Sequence, residues 1–160
     1  MSLGHRSIVH LAGPQEWIAA RNRAAAFEAA IDSRGLHVNA TLYGDWTARS
    51  GLVAVSAQAL DPAVTAIVSA NDQMALGALR RFAMEGISIP ADLSITGFDD
   101  IPEAEFFPPP LTTIRIDFLR QGTFLFDSVL ASITDADPPD RDEFMHPELI
   151  VRDSTAPPRP

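Results

Sequence analysis

A carboxylate at Asp99, an amide at Asn71 and an indole at Trp46 occupy one recurring kind of place in this sequence. Four apolar runs each end in a small polar cluster. Residues 8–12 lead into Gly13-Pro14-Gln15, and 38–43 into Gly44-Asp45-Trp46. Residues 66–70 lead into Asn71-Asp72-Gln73, and 93–98 into Asp99-Asp100. A carboxylate accepts hydrogen bonds from two neighbouring hydroxyls, and an amide both donates and accepts. A flat ring packs on a C–H face. Parallel strands would bring all four clusters to one edge of one sheet, where open α/β sheets bind ligands. A polyhydroxylated small molecule is the occupant such an edge suits. Asp72 reads as a helix cap and Asp100 as a structural partner bonding the backbone.

The elements that must carry these groups alternate. SIVHLA at 7–12 is a β-branched, apolar strand. Trp17, Ala20, Ala24, Phe27 and Ile31 recur at spacings of three and four, which is one face of a helix ending near Gly35. Residues 37–43 form a second strand. Asp45 or Thr47 caps a second helix reaching about Leu60, and Gly51 within it marks close backbone packing. Residues 65–70 form a third strand, followed by a helix that buries Ala75, Ala78, Leu79 and Phe82. Residues 93–98 form a fourth strand, and 99–110 a loop with one helical turn. Residues 111–116 are extended. Asp117 caps a last helix to about Thr134, whose apolar face is wide enough to expect cover from two sides. A charged loop (135–143), a final strand (148–152) and a loose tail (155–160) close the chain. Strand–helix alternation predicts an α/β fold, a three-layer αβα sandwich around a mostly parallel sheet.

Composition removes several classes of function. With 160 residues, one domain with a real core is expected. The formal net charge is −9 and the pI about 4.7, which makes the chain itself a poor binder of the phosphate backbone. The absence of cysteine excludes disulfides and thiolate metal sites, and fits a reducing cytosol. No apolar stretch approaches the roughly 20 residues of a membrane span. The N-terminus has no signal-peptide core, and residues 1–3 read as a cloning scar. His5, His10, His37 and His146 lack metal-ligand spacing, and the acidic run near Asp135 lacks the pattern of a calcium loop. No metal site and no cofactor are expected. Asp45, Asp99 and Asp100 are the carboxylates that an acid–base set for glycoside hydrolysis would have to use. Adjacent Asp99 and Asp100 need not face one substrate, and no nucleophile–base pair accompanies them, so no enzyme activity is expected.

Seven segments, in order, carry a resemblance. They are GHRSIVHLAGP (4–14), ARNRAAAF (20–27), GDWTARSG (44–51), SANDQMALGALR (69–80), GISIPADLSITGFDD (86–100), PPLTTIRIDF (109–118) and PELIVRDSTAPP (147–158). Together they resemble the lac-repressor (LacI/GalR) family of bacterial transcription regulators, over about the second half of a family member. The resemblance implies the C-terminal lobe (4–116) of a periplasmic-binding-protein-like effector domain. It implies a helix (117–134) that packs with the N-terminal lobe, and operator DNA contacted only through a helix-turn-helix headpiece outside this chain. Carried over position by position, the effector site comprises Arg23, Trp46, Asn71, Asp99 and Phe118, with Arg23 favoured over Arg21. At Ile116 one member of the resembled family carries a polar residue instead, a departure that weakens any expectation of the same sugar. The implied partners are a sugar-like effector and a second copy of the chain, in a cytoplasmic homodimer. The dimer face would lie near 46–60 and 103–108. A periplasmic-type sugar-binding protein of the same fold, without a headpiece, is the alternative.

Overall fold

A computed structural model describes residues 3–56, 60–140 and 147–159. His146, residues 141–143 of the charged loop, and residues 1 and 2 of the expected N-terminal scar lie outside the described residues. The order is β1 (Ser7–Ala12), α1 (Ile18–Asp32), β2 (His37–Tyr43), α2 (Ala48–Ala54), β3 (Ala66–Ser69), α3 (Asp72–Met84), β4 (Ser94–Thr96), a 3-10 helix (Pro102–Phe106), β5 (Thr113–Arg115), α4 (Phe118–Thr134) and β6 (Glu148–Ile150). The first four strands form a parallel sheet in the order β2-β1-β3-β4. The chain moves outward on one side of β1, then returns to its other side. The crevice at such a reversal, beyond the C-terminal strand ends, is where open α/β sheets hold ligands. Here it lies between the tips of β1 and β3.

Strand alternation divides the core in two. Val9, Leu11, Ile67 and Ile95 point to one face and pack with Val55, Met74, Ala75, Ala78, Leu79 and Phe82. Ile8 and Ala66 point to the other and pack with Ile31 and Phe27 of α1. Burying each large side chain of this kind contributes about 1.5–3 kcal/mol. Helices on both faces make the expected three-layer α/β sandwich.

Several local expectations are corrected. Trp17 is not on the buried stripe of α1. It is the extended N-cap residue and 59% exposed, because its backbone has not yet turned into the helix. The second helix stops at Ala54 rather than Leu60. Val55 takes extended angles that carry it fully into the core, and residues 57–59 lie outside the described residues. Gly51 behaves as expected: a Cβ there would fall 2.1 Å from the carbonyl oxygen of Met74, and one at Gly77 1.8 Å from that of Ala48. Helices α2 and α3 therefore touch backbone to backbone. The cap of α3 is Asn71, not Asp72; the Met74 N–H donates to Asn71 Oδ1 at 2.9 Å. Asp72 sits one residue later, inside the first turn and fully buried.

β4 is shorter than residues 93–98 because the chain changes partners. Gly97 N donates to Thr112 O and Asp99 N to Ile114 O, both at 2.9 Å. Residues 113–115 pair antiparallel with β6 in a separate two-stranded ribbon. The C-terminal segment is not loose over its described residues. Ser154 Oγ donates to Ile95 O at 2.6 Å, Ala156 N donates to Ser94 Oγ at 3.1 Å, and Arg159 donates to Pro62 O at 3.0 Å. Its small hydroxyl residues fit against β4, which has no further strand of the main sheet beside it. α4 is capped by Asp117 as expected, but makes no extensive contact with any element of the sheet body.

Candidate functional site

Each strand tip is shaped by its own short polar residues. After β2, Trp46 adopts a left-handed backbone with φ of 75°. Asp45 holds that turn, its Oδ1 accepting from the N–H (3.0 Å) and hydroxyl (2.6 Å) of Thr47. Those hydrogen bonds, the Thr47 hydroxyl foremost, lower the Asp45 pKa. Thr47 in turn caps α2. The indole of Trp46 lies over Gly13 at the tip of β1. A Cβ there would come within 2.3 Å of the ring, so only glycine admits it. Gly13 is a positioning residue that the sequence reading missed, although its place directly after an apolar strand was a usable signal.

Asn71 braces the same turn. Its Nδ2 donates to Trp46 O at 2.9 Å while its Oδ1 caps α3, and the residue is 8% exposed. Both polar atoms already serve the backbone, leaving one amide hydrogen and one lone pair for a ligand. Beyond β4, Asp99 has a φ of 115°. Its carboxylate meets Arg23 Nη2 at 3.0 Å, with side chains 24% and 28% exposed respectively. Burial raises the Asp99 pKa, and the Arg23 charge opposes that rise.

Arg23 joins the tips. From α1 it reaches across the β1–β3 crevice and donates Nη1 to Ala70 O. Its guanidinium lies 4.0 Å from the centroid of the Phe98 ring and 5.6 Å from that of Trp46. Phe98 is a second residue the sequence reading missed; its place immediately before Asp99 at a strand tip was the available signal. Arg21, by contrast, bonds Gln15 O at the exposed surface, which agrees with the preference for Arg23.

Four of the five expected site residues are therefore linked: Arg23 to Asp99 and across to Trp46, and Trp46 to Asn71. Phe118 is not among them. It begins α4 with 63% of its surface exposed, and among the described residues no hydrogen bond, ion pair or ring contact joins it to the other four. Asp100 is a structural partner, but of side chains rather than backbone: Arg152 and Arg115 both meet its carboxylate at 2.7 Å. Each of the three aspartates already has a local partner: Asp45 the Thr47 hydroxyl, Asp99 the Arg23 guanidinium and Asp100 two arginines. The arrangement presents a charge-balanced donor–acceptor pair beside two aromatic rings on one open wall, which is equipment for binding.

Residues 1–155 match the model of the periplasmic binding protein-like domain family. The chain is 38% identical over 156 residues to the lactose operon repressor of Klebsiella pneumoniae, covering 97% of this chain and 44% of that protein. It is 36% identical over 154 residues to the transcriptional repressor PurR of Vibrio parahaemolyticus, covering 94% and 46%. A solved dimeric lac repressor lacking 11 C-terminal residues superposes with a TM-score of 0.87 at 35% identity, covering 98% of this chain and 58% of that one. The chain thus spans under half the length of these two relatives, which are named as repressors and not as enzymes. No helix among the described residues is long and apolar enough to cross a membrane. With its switch-point crevice and its strand tips in register, the chain belongs to the periplasmic binding protein-like domain family, in the LacI/GalR branch of transcription regulators.

Proposed function

We propose that this chain is the C-terminal effector-binding and dimerising lobe of a cytoplasmic LacI-type regulator whose operator binding is controlled by a sugar-like small molecule. The observation that carries the reading is the Arg23–Asp99 pair at the switch point, flanked by Trp46 and Phe98. Asp99 and Arg23 would take paired hydroxyls, Trp46 a C–H face, and Asn71 a single hydrogen bond through its spare capacity. Phe118 would join them only when a second lobe closes over α4, because it now lies apart. DNA contact falls to a headpiece outside this chain, in keeping with the charge of −9. The dimer face would use the apolar groove lined by Leu52, Val53 and Leu76, whose hollow is about 560 Å³. Ligand control follows if the effector binds one arrangement of the two lobes better than the other.

A thermal-shift screen of the full-length gene product against sugars, sugar phosphates and nucleosides tests this. A neutral sugar or its derivative is expected to raise Tm. Asp99→Asn should weaken that binding about 10–100-fold, the effect of losing hydrogen bonds to a charged group. The 160-residue chain alone offers one wall of the site and should bind far more weakly, since pockets enclose most of a small ligand. A screen in which no sugar shifts Tm, or an Asp99→Asn protein that binds as the parent does, would overturn the reading.

A further inference from the structure

Asp99 and Asp100 are adjacent, both non-glycine, and both in the left-handed region, with φ of 115° and 50°. Two such residues in succession persist only where their surroundings over-determine them. On the sheet side, Asp72, fully buried, accepts from Ile101 N at 2.9 Å and from Thr113 Oγ1 at 2.6 Å, so it ties the segment after β4 to the start of β5. On the ribbon side, the Asp100 side chain is 6% exposed and receives Arg115 Nε of β5 and Arg152 Nη2, just past β6, each at 2.7 Å. Arg152 is anchored in turn by donating to Leu111 O at 2.8 Å. Both strands of the ribbon thus converge on one carboxylate, and that carboxylate is one peptide bond from Asp99. β5 runs directly into α4.

We propose that Asp100 is a positioning residue that makes the β5–β6 ribbon follow Asp99, so that ligand capture at the strand tips is transmitted to α4. The step from tip to ligand rests on the reading of Asp99 as an effector contact; the mechanical step does not. When Arg23 releases or re-aims Asp99, the change in backbone angle at Asp99 reaches Asp100 directly. The two arginines then carry it into both strands together. The hydrogen bond from Asp99 N to Ile114 O alone would move only β5. A shift passed to one strand would shear the ribbon; a shift passed to both rotates it as a unit.

Amide hydrogen exchange on the 160-residue chain reads this without any ligand. Arg23→Gln removes the ion pair that holds Asp99. It is expected to speed exchange at Asp99 and across residues 148–152 about tenfold. In an Asp100→Asn background, Arg23→Gln should still speed the Asp99 amide but change residues 148–152 less than about twofold. Equal effects of Arg23→Gln at 148–152 in both backgrounds, or no effect there in either, would overturn the proposal. Should Asp100→Asn not fold, Arg152→Gln decides by the same comparison, because it cuts the link from Asp100 to residues 148–152 while the Arg115 ion pair remains. A failed sugar screen would leave this result standing, and a failed exchange experiment would leave the sugar reading standing.

Discussion

The sheet body and helix α4 answer the same physical demand in opposite ways. In the body, large apolar side chains find partners within the chain: Phe82, Leu11, Ile67 and Met74 are all below 2% exposed. On α4, seven large apolar residues from Phe118 to Ile133 are 46–82% exposed, and Ala131 is the buried one. Both helices α3 and α4 are capped by a side chain accepting from the third helical N–H, so local signals do not separate them. What separates them is whether the described residues supply a covering surface. Contiguous exposed apolar surface on this scale marks an interaction face. The body covers its own apolar side chains, and α4 leaves its own open, as the proposed second lobe would require.

Truncating one aromatic in each region should break the comparison if it is wrong. Phe82→Ala opens a cavity among Leu79, Leu93 and their neighbours, and is expected to cost about 3–5 kcal/mol in urea unfolding. Phe126→Ala, on a side chain 67% exposed, should cost less than about 0.5 kcal/mol in the same chain. If both variants lose comparable stability, α4 is packed in solution and the contrast fails. If the proposed second lobe packs on α4, Phe126→Ala should become costly in the full-length protein, because that lobe would supply a partner for the ring.

A pH titration sharpens what burial means in the body. His10 on β1 is 2% exposed, stacks on Phe27 at 4.3 Å between centroids, and has an Nδ1 without a hydrogen-bond partner among the described residues. Burial lowers its pKa from 6.5 to about 4. The unfolded chain therefore binds a proton between those values that the folded chain refuses. Stability is fully present above pH 6.5 and falls as the pH drops towards 4, by up to about 3 kcal/mol. Burial raises the pKa of Asp72 and Asp99, so these two contribute with the opposite sign and gain stability on acidification. The difference between the parent and His10→Leu isolates the histidine. Parallel pH profiles for the two proteins would mean that His10 is solvated after all.

The sequence made the sheet body legible and left its edges less so. β1 and β2 were read with their observed bounds, since β-branched runs with clear turn signals leave little choice. The buried stripe of α3 was read from its period, and Gly51 from its cost to a helix. The errors fall where tertiary partners override local preference. Val55 leaves its helix to enter the core, and β4 ends early because residues 112–114 take over its pairing. Asp72, the expected cap, is drawn inward by Thr113 and Ile101. At the candidate site the polar and aromatic strand-tip residues were legible in Asp99, Asn71 and Trp46. Arg23 was reached only through the family resemblance, because an arginine on a helix is usually solvated. Gly13 and Phe98 escaped because their roles exist only once two strand tips are side by side.

Glycine substitutions give a further contrast, in which the two regions should respond with opposite signs. At Gly77 of α3 a methyl group would collide with the Ala48 carbonyl, at 1.8 Å, and with Leu52 N, at 2.6 Å. Both are backbone atoms of α2 and cannot rotate away, so the two helices must separate. Gly77→Ala is expected to destabilise the chain by about 1–3 kcal/mol, the usual cost of overpacking. At Gly122 of α4 nothing lies within 4 Å of the added methyl. There the substitution only removes the entropy penalty of a helical glycine, and helix stability should rise by about 0.5–1 kcal/mol. Helicity by circular dichroism and urea unfolding read the two effects separately. In the full-length protein the sign at Gly122 tests the proposed cover: a gain that turns into a loss means that a second lobe packs closely over that turn of α4, and an unchanged gain counts against a lobe at that turn.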